Sequence, residues 1–335
     1  MKMKKFLAIM LAMLMILSFA ACGESAPAEG GDAGDATWEP SGSIDFVCPY
    51  SAGGGSDVCA RTIADVMKDY TSATAVVQNL SGGGGMVGTS YVVAKAGDDM
   101  TLITYAPGQL ASSIVNSPEC NWDKLTQLCV LALEEQTLCV QAGKFADLNE
   151  LIAYSQAHPG EVTIAGTTIG NEDHMCVEML NKYANAGFTY VTYDSAGDIA
   201  TALLGGHITG GVMNPSECTS QVNAGDFTCL CSFGENDIHY IPGFESVPTA
   251  KSYGYDINFV MFRGVAGAPG MSDAAKAYWV DLFTKLADNE KWVKDYVNKK
   301  GLTPAFMAGD ELEAFLANQY ELYHDLAIEA GLITK

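Results

Sequence analysis

Residues 44–61 read IDFVCPYSAGGGSDVCAR. No other stretch limits the fold so tightly. An apolar strand over 44–48 runs through a turn containing Tyr50, Ser51, Ala52, Gly53 and Gly54 into a helix. Ser56 or Asp57 is the expected N-cap, because either side chain can accept from a free first-turn N–H. The same order recurs directly. A strand over 75–80 leads to SGGGGMVG at 81–88, a helix over 89–95 and a strand over 101–106. Two such units predict neighbouring parallel strands with both glycine loops at the carboxyl edge, where open α/β sheets bind ligands. Unbonded N–H groups and the positive ends of helix dipoles then converge, which is the physical recipe for an anion site.

Which anion is narrowed by what is missing. Gly83, Gly85 and Gly88 fit G-x-G-x-x-G, but the next strand ends in Thr104, Tyr105, Ala106 and Pro107, without the acid a dinucleotide ribose requires. No G-x-x-x-x-G-K-[ST] occurs. A formal charge of −22 opposes nucleic acid. His158, His207, His239 and His324 are scattered, with no H-x-x-x-H, and there is no G-x-S-x-G. No metal, cofactor or nucleophile–base pair is therefore expected. His174 falls in the first turn of a helix facing the expected cleft, three residues after Asn171; it reads as a surface or capping residue, with ligand contact as the alternative. Arg61 is expected to reach a buried acid or the sheet edge. The acid pairs Asp98–Asp99 and Glu134–Glu135 read as solvated surface, since neighbours on a strand face apart.

The chain's start is a secretory signal: three lysines within residues 1–5, an apolar run over 6–18, then Phe19, Ala20, Ala21 and Cys22. The form resembles a bacterial lipoprotein signal, with 1–21 removed and Cys22 lipidated; ordinary cleavage near Ala21 or an uncleaved anchor are the alternatives. Residues 22–42 are Gly, Ala, Glu, Asp and Pro with little else, a flexible acidic tether. Cys48, Cys129, Cys139, Cys229 and Cys231 lie in apolar runs and read as small buried hydrophobes, not a disulfide framework. Beyond residue 128, further strand–loop–helix units follow. Thr167, Thr168 and Gly170 form one turn, Asp194, Ser195 and Ala196 a second, and Asn214 ends another strand. Helices are expected at 272–288, 290–298 and 310–329, and no run after the signal is long enough to span a membrane.

In order, these motifs resemble the substrate-binding receptors of tripartite tricarboxylate transporters, the Bug family. Residues 49–61 follow that family's P-x-x-x-G-G-x-x-D-x-x-A-R stretch, and Val77, Gln78 and Asn79 with Gly82 to Gly88 its second loop. Gly166 to Gly170, Tyr193 through Gly206, Val247-Pro248-Thr249 and Ala268-Pro269-Gly270 continue it.

The resemblance implies a two-lobed α/β periplasmic-binding-protein-like fold (type II), each lobe a mostly parallel sheet flanked by helices. Lobe I would hold 43–140 and 250–335, lobe II 141–249. It implies a monomer that closes on a small organic carboxylate (a di- or tricarboxylate, an amino acid or an aromatic acid) and delivers it to transporter membrane subunits. Tyr50 to Gly54, Asp57, Gly83, Gly84 and Gly85 would hold the common carboxylate. Thr167, Thr168, Gly170, Asp194, Ser195, Ala196 and Asn214 would select the ligand. Ser195 replaces the glycine usual in relatives, and Asp194 beside it leaves room for a zwitterion whose amine it pairs. A sensor on the same fold, or an enzyme acting on a carboxylate, are the alternatives.

Overall fold

The computed structural model describes residues 38–234, 238 and 240–334. The expected signal, Cys22 and the tether up to residue 37 lie outside the described residues. Among those described, no helix is long and apolar enough to cross a membrane.

The first sheet starts as expected. Strands β1 (Ser43–Cys48), β2 (Thr74–Asn79) and β3 (Thr101–Tyr105) are parallel, with β1 in the middle and Phe46 opposite both Val77 and Leu102. On β1, Ile44, Phe46 and Cys48 enter one core and Val47 the other. A sheet buried on both faces explains why its strands are apolar almost throughout. β4 (Thr126–Glu135), β10 (Val260–Gly267) and β11 (Thr303–Met307) extend it antiparallel, in the order β11-β4-β10-β3-β1-β2. β11 carries Pro304 and sits at the edge, where a missing N–H is tolerated; that proline hid it from sequence reading.

The helices of this half are α1 (Gly55–Met67), α2 (Met86–Val93) and α3 (Pro107–Asn116). Gly54, not Ser56 or Asp57, is the N-cap of α1, so both polar residues lie in its first turn. The buried face of α1 centres on Cys59, Ile63 and Val66. Val58 and Thr62 are only half-buried. α3 was not foreseen; its sequence is short, small and polar, although Pro107 at the first helical position is a start signal.

The second sheet contains β5 (Thr137–Gln141), β6 (Thr163–Gly166), β7 (Thr189–Thr192), β8 (Gly210–Met213) and β9 (Phe227–Ser232), in the order β7-β6-β8-β5-β9. β6, β7 and β8 run parallel, and β5 is antiparallel to β8 and β9. The chain changes sheets at Gln136, so β5 falls in the second sheet and not, as its expected boundary at 140 had it, in the first half. Helices α4 (Leu148–Ala157), α5 (Glu172–Ala184), α6 (Ala196–Leu204) and α7 (Pro215–Ala224) complete the βα units.

The chain then returns through β10 to the first sheet. α8 (Asp273–Ala287) is capped by Ser272, as expected, and buries Trp279, Leu282 and Phe283. Residues Lys291–Asn298 form a π-helical stretch, and α9 (Gly309–Glu329) ends the fold. α9 packs on α3 of the first half and α5 of the second. Cys48, Cys59, Cys120, Cys129, Cys139, Cys176, Cys218, Cys229 and Cys231 are all buried free thiols.

The β1 loop and α2 approach each other without room to spare. A Cβ on Gly88 would lie 2.8 Å from Pro49 Cβ and 3.0 Å from the Leu80 carbonyl. Gly88→Ala should therefore destabilise the chain by about 1–3 kcal/mol, because overpacking outweighs alanine's better helix propensity. Urea unfolding reads this directly, and an unchanged or raised midpoint would refute the close approach.

Candidate functional site

A cleft of about 390 Å³ lies where the carboxyl edges of the two sheets meet. Its lining is mainly helix starts. Gly54, Gly55 and Ser56 open α1, Gly84 precedes α2, and Ala106 and Gly108 open α3. Opposite them stand Asn171 and Glu172 of α5, Ser195 and Ala196 of α6, and Asn214 of α7. The first N–H groups of a helix have no partner within it, so six helices offer donors and dipole ends to one space.

The first loop is held by Asp57. Its carboxylate accepts from Gly53 N–H at 2.8 Å, Asn79 Nδ2 at 2.8 Å and Arg61 Nε at 3.1 Å. Arg61 also donates to Asn79 Oδ1 at 2.9 Å, so it reaches both the buried acid and the sheet edge. The Arg61 hydrogen bond, helped by the Gly53 and Asn79 donors, lowers the Asp57 carboxyl to about 2. Asn79 further donates to the Tyr50 carbonyl, stitching the loop to β2.

The second loop needs glycine. Gly82, Gly83, Gly84 and Gly85 all have positive φ, and a Cβ on Gly84 would overlap Ser112 Oγ. Beneath it, Thr89 Oγ1 donates to the Gly85 carbonyl at 2.9 Å, and Gln109 Nε2 donates to Thr89 Oγ1 at 3.3 Å.

The opposite wall is built by its own caps. Asn171 accepts from His174 N–H and Ser195 from Asp198 N–H. Asn214 donates from its backbone to Glu217 Oε2 at 3.0 Å and from Nδ2 to the Glu135 carbonyl at 2.9 Å. Asp173 is buried beneath this wall. It accepts from Thr167 N–H and Oγ1, each at 2.8 Å, and from Gln136 Nε2 at 2.9 Å. Burial nevertheless pushes its carboxyl up, against those hydrogen bonds.

Sequence reading missed the charged floor. Arg263 on β10 lines the cleft, is only 8% exposed and ion-pairs with Glu134 on β4. Burial opposes its charge, and Glu134 together with Tyr296 and Cys59 more than offsets that. Glu134 and Glu135 are each 3% exposed, against the expectation of solvated surface. They do face apart, but β4 is covered on both faces, so both sides of it are interior. Glu172 and Glu217 also line the cleft and were unread. Burial with Asp173 nearby raises the carboxyl of each to about 7.

Of the expected residues, Tyr50, Ser51, Gly54 and Gly84 border the cleft on one side. Thr167, Thr168, Asp194, Ser195, Ala196 and Asn214 border it on the other. Ala52, Asp57, Gly83, Gly85, Gly170 and His174 do not. Gly53 opens instead on an adjoining hollow of about 230 Å³ with Arg263 and Lys300. His174 supports the turn: its Nδ1 accepts from Gly170 N–H at 3.0 Å, and its ring stacks on Tyr190 at 4.3 Å. Among the described residues no cluster of three or more His, Cys, Asp or Glu could hold a metal ion.

Residues 59–332 match the family profile described as the tripartite tricarboxylate transporter family receptor. Protein BugT of Bordetella pertussis is 26% identical over 298 residues, which is 87% of this chain and 90% of that protein. Two solved structures share the fold. An adipate-bound protein from R. palustris superposes with a TM-score of 0.75 at 20% identity, over 87% of this chain and 98% of that one. Malate-bound MatC from Rhodopseudomonas palustris superposes with a TM-score of 0.71 at 19% identity, over 86% of this chain and 99% of that one.

Burial raises the Glu135 carboxyl to about 7, against the ordinary 4.5. The unfolded chain therefore releases that proton at lower pH than the folded chain does. The stability it contributes is complete below about pH 4.5 and is lost as pH rises through about 7. Chemical denaturation of wild type should show stability falling between pH 5 and 8, and Glu135→Gln should flatten that fall by about 1–3 kcal/mol. Parallel curves would show that Glu135 ionises normally.

Proposed function

The chain belongs to the tripartite tricarboxylate transporter receptor family, and on that premise we propose an extracytoplasmic receptor that closes on one small organic carboxylate and delivers it to transporter membrane subunits. The observation that carries this reading is the convergence of six helix starts and Arg263 on a cleft sized for a small molecule. Backbone N–H groups at the start of α1 and at Gly84 hold a carboxylate without needing positive net charge. Contact-range donors act inside the screening length of about 8 Å, so the acidity of the whole chain alters the rate of encounter more than the contact itself.

The two sheets form the two lobes. They are joined at Gln136 and along 233–259, and ligand contacts to both walls favour the closed arrangement. Asp57 orders the first loop from behind and does not touch the ligand, since two anions in contact would repel. Residues 1–22 supply export and, through Cys22, lipid anchoring at the outer face of the membrane. The protein works as a monomer and performs no chemistry on its ligand. The adipate and malate held by its structural relatives support a carboxylate as the ligand class.

Calorimetry against citrate, succinate, malate, adipate, glutamate, aspartate and aromatic acids tests this. At least one should bind with micromolar or tighter affinity and raise the melting temperature. Gly84→Val, which forces a side chain into a positive-φ position against Ser112, should abolish that binding in a folded protein. A panel with no stabilising carboxylate, or wild-type affinity in the variant, would sink the reading; turnover of a bound acid would replace it with an enzyme.

A further inference from the structure

The two walls of the cleft share one architecture and carry opposite charge. On the first-sheet wall, the opening turns of α2 and α3 hold no acid. The one acid in the opening turn of α1, Asp57, is committed to Gly53, Asn79 and Arg61. Arg263 stands on this side with its guanidinium over Gly55, where an added Cβ would lie 3.3 Å from Nη2. It is nine-tenths buried, and its Nε has no hydrogen-bond partner among the described residues.

On the second-sheet wall every opening turn holds an acid: Glu172 and Asp173 in α5, Asp198 in α6 and Glu217 in α7. Asp173 and Asp198 are engaged by Thr167, Gln136 and Ser195. Glu172 is not. Its Oε2 is buried without a hydrogen-bond partner among the described residues. It lies 3.3 Å from the place a Gly108 side chain would occupy, with the Tyr50 hydroxyl 2.7 Å from the same point. The carboxyl thus reaches across the cleft to the start of α3, into space that only glycine leaves. Arg263 is near enough to pull the carboxyls of both Glu172 and Glu217 downward, against the burial that raises them.

Resting on the carboxylate-receptor reading, we propose that the ligand is a zwitterionic amino carboxylate, its carboxylate on the glycine loops and Arg263 and its ammonium against Glu172, with Glu217 beside it. An ammonium brings the donors that the unbonded Glu172 oxygen lacks, and its charge lets that carboxyl ionise. A dicarboxylate in the same place would set a second anion against the acid wall, which selects by repulsion as well as attraction. Asp194, exposed at the rim, is secondary to Glu172.

Calorimetry on the full soluble chain separates the possibilities. The probes are ω-amino acids from β-alanine to 6-aminohexanoate, α-amino acids, dicarboxylates from succinate to adipate, and the single-ended controls butyrate and butylamine. At least one amino carboxylate should bind about tenfold or more tighter than the dicarboxylate of matching length. Glu172→Gln, which keeps the shape and removes the charge, should cost that ligand about tenfold while leaving or improving dicarboxylate affinity. The melting temperature of the free variant checks its fold. Dicarboxylates that bind best in wild type, with the order unchanged in Glu172→Gln, would overturn the zwitterion and leave the carboxylate receptor standing. Binding by butylamine alone, or by no carboxylate of the panel, would remove both.

Discussion

Everything at the centre of this molecule follows from backbone N–H groups at helix starts having no partner inside their own helix. Each βα unit delivers one such start to the carboxyl edge of a sheet, and the two sheets set their edges face to face. The glycines follow from this geometry. Gly84 has a positive φ and lies against Ser112, so the loop brings bare backbone to the cleft surface where a side chain would stand in the way. Asp57 serves the same end by accepting the Gly53 N–H, holding the first loop in one shape.

Helix starts of one sign create a second demand, met differently on the two sides. The second-sheet helices answer their own dipoles with acids in the first turn, as helix energetics favour. On the first-sheet side α2 and α3 leave theirs unanswered, Asp57 of α1 is committed to its own loop and Arg61, and Arg263 is added, its burial made tolerable by Glu134. Such a buried pair is weak evidence for stability, because desolvation consumes most of its attraction. Its meaning lies in position. It fixes a cation beside the glycine loops, and it makes the cleft dipolar across its width.

Much of the framework was legible in the chain. Parallel β1, β2 and β3, both glycine loops and the helix beginning at Ser272 announce themselves by local pattern, because turn and cap chemistry acts over a few residues. The second-wall turns at Thr167, Asp194 and Asn214 were also found. What escaped had non-local causes. β11 was concealed by Pro304, which only an edge position tolerates, and α3 by a polar sequence whose Gln109 is buried through contacts with Thr89. The place of His174 in a helix start left a capping role and a ligand contact open; the fold engages its ring with Gly170 and Tyr190.

The sequence by itself determined the class of fold, the carboxyl-edge location of the site and its preference for an anion, since a strand, a glycine loop and a helix start carry that information within about a dozen residues. The tertiary structure decided the charge inside the cleft. Glu134 and Glu135 read as surface because an acid's burial depends on what covers its strand, and β10, β11 and the flanking helices come from chain far removed. Arg263 had no motif to mark it, and neither did Glu172. Only the meeting of two sheets turns one into a floor cation and the other into an unbonded carboxyl lining the cleft, because Coulomb interactions follow distance in space and not order in the chain.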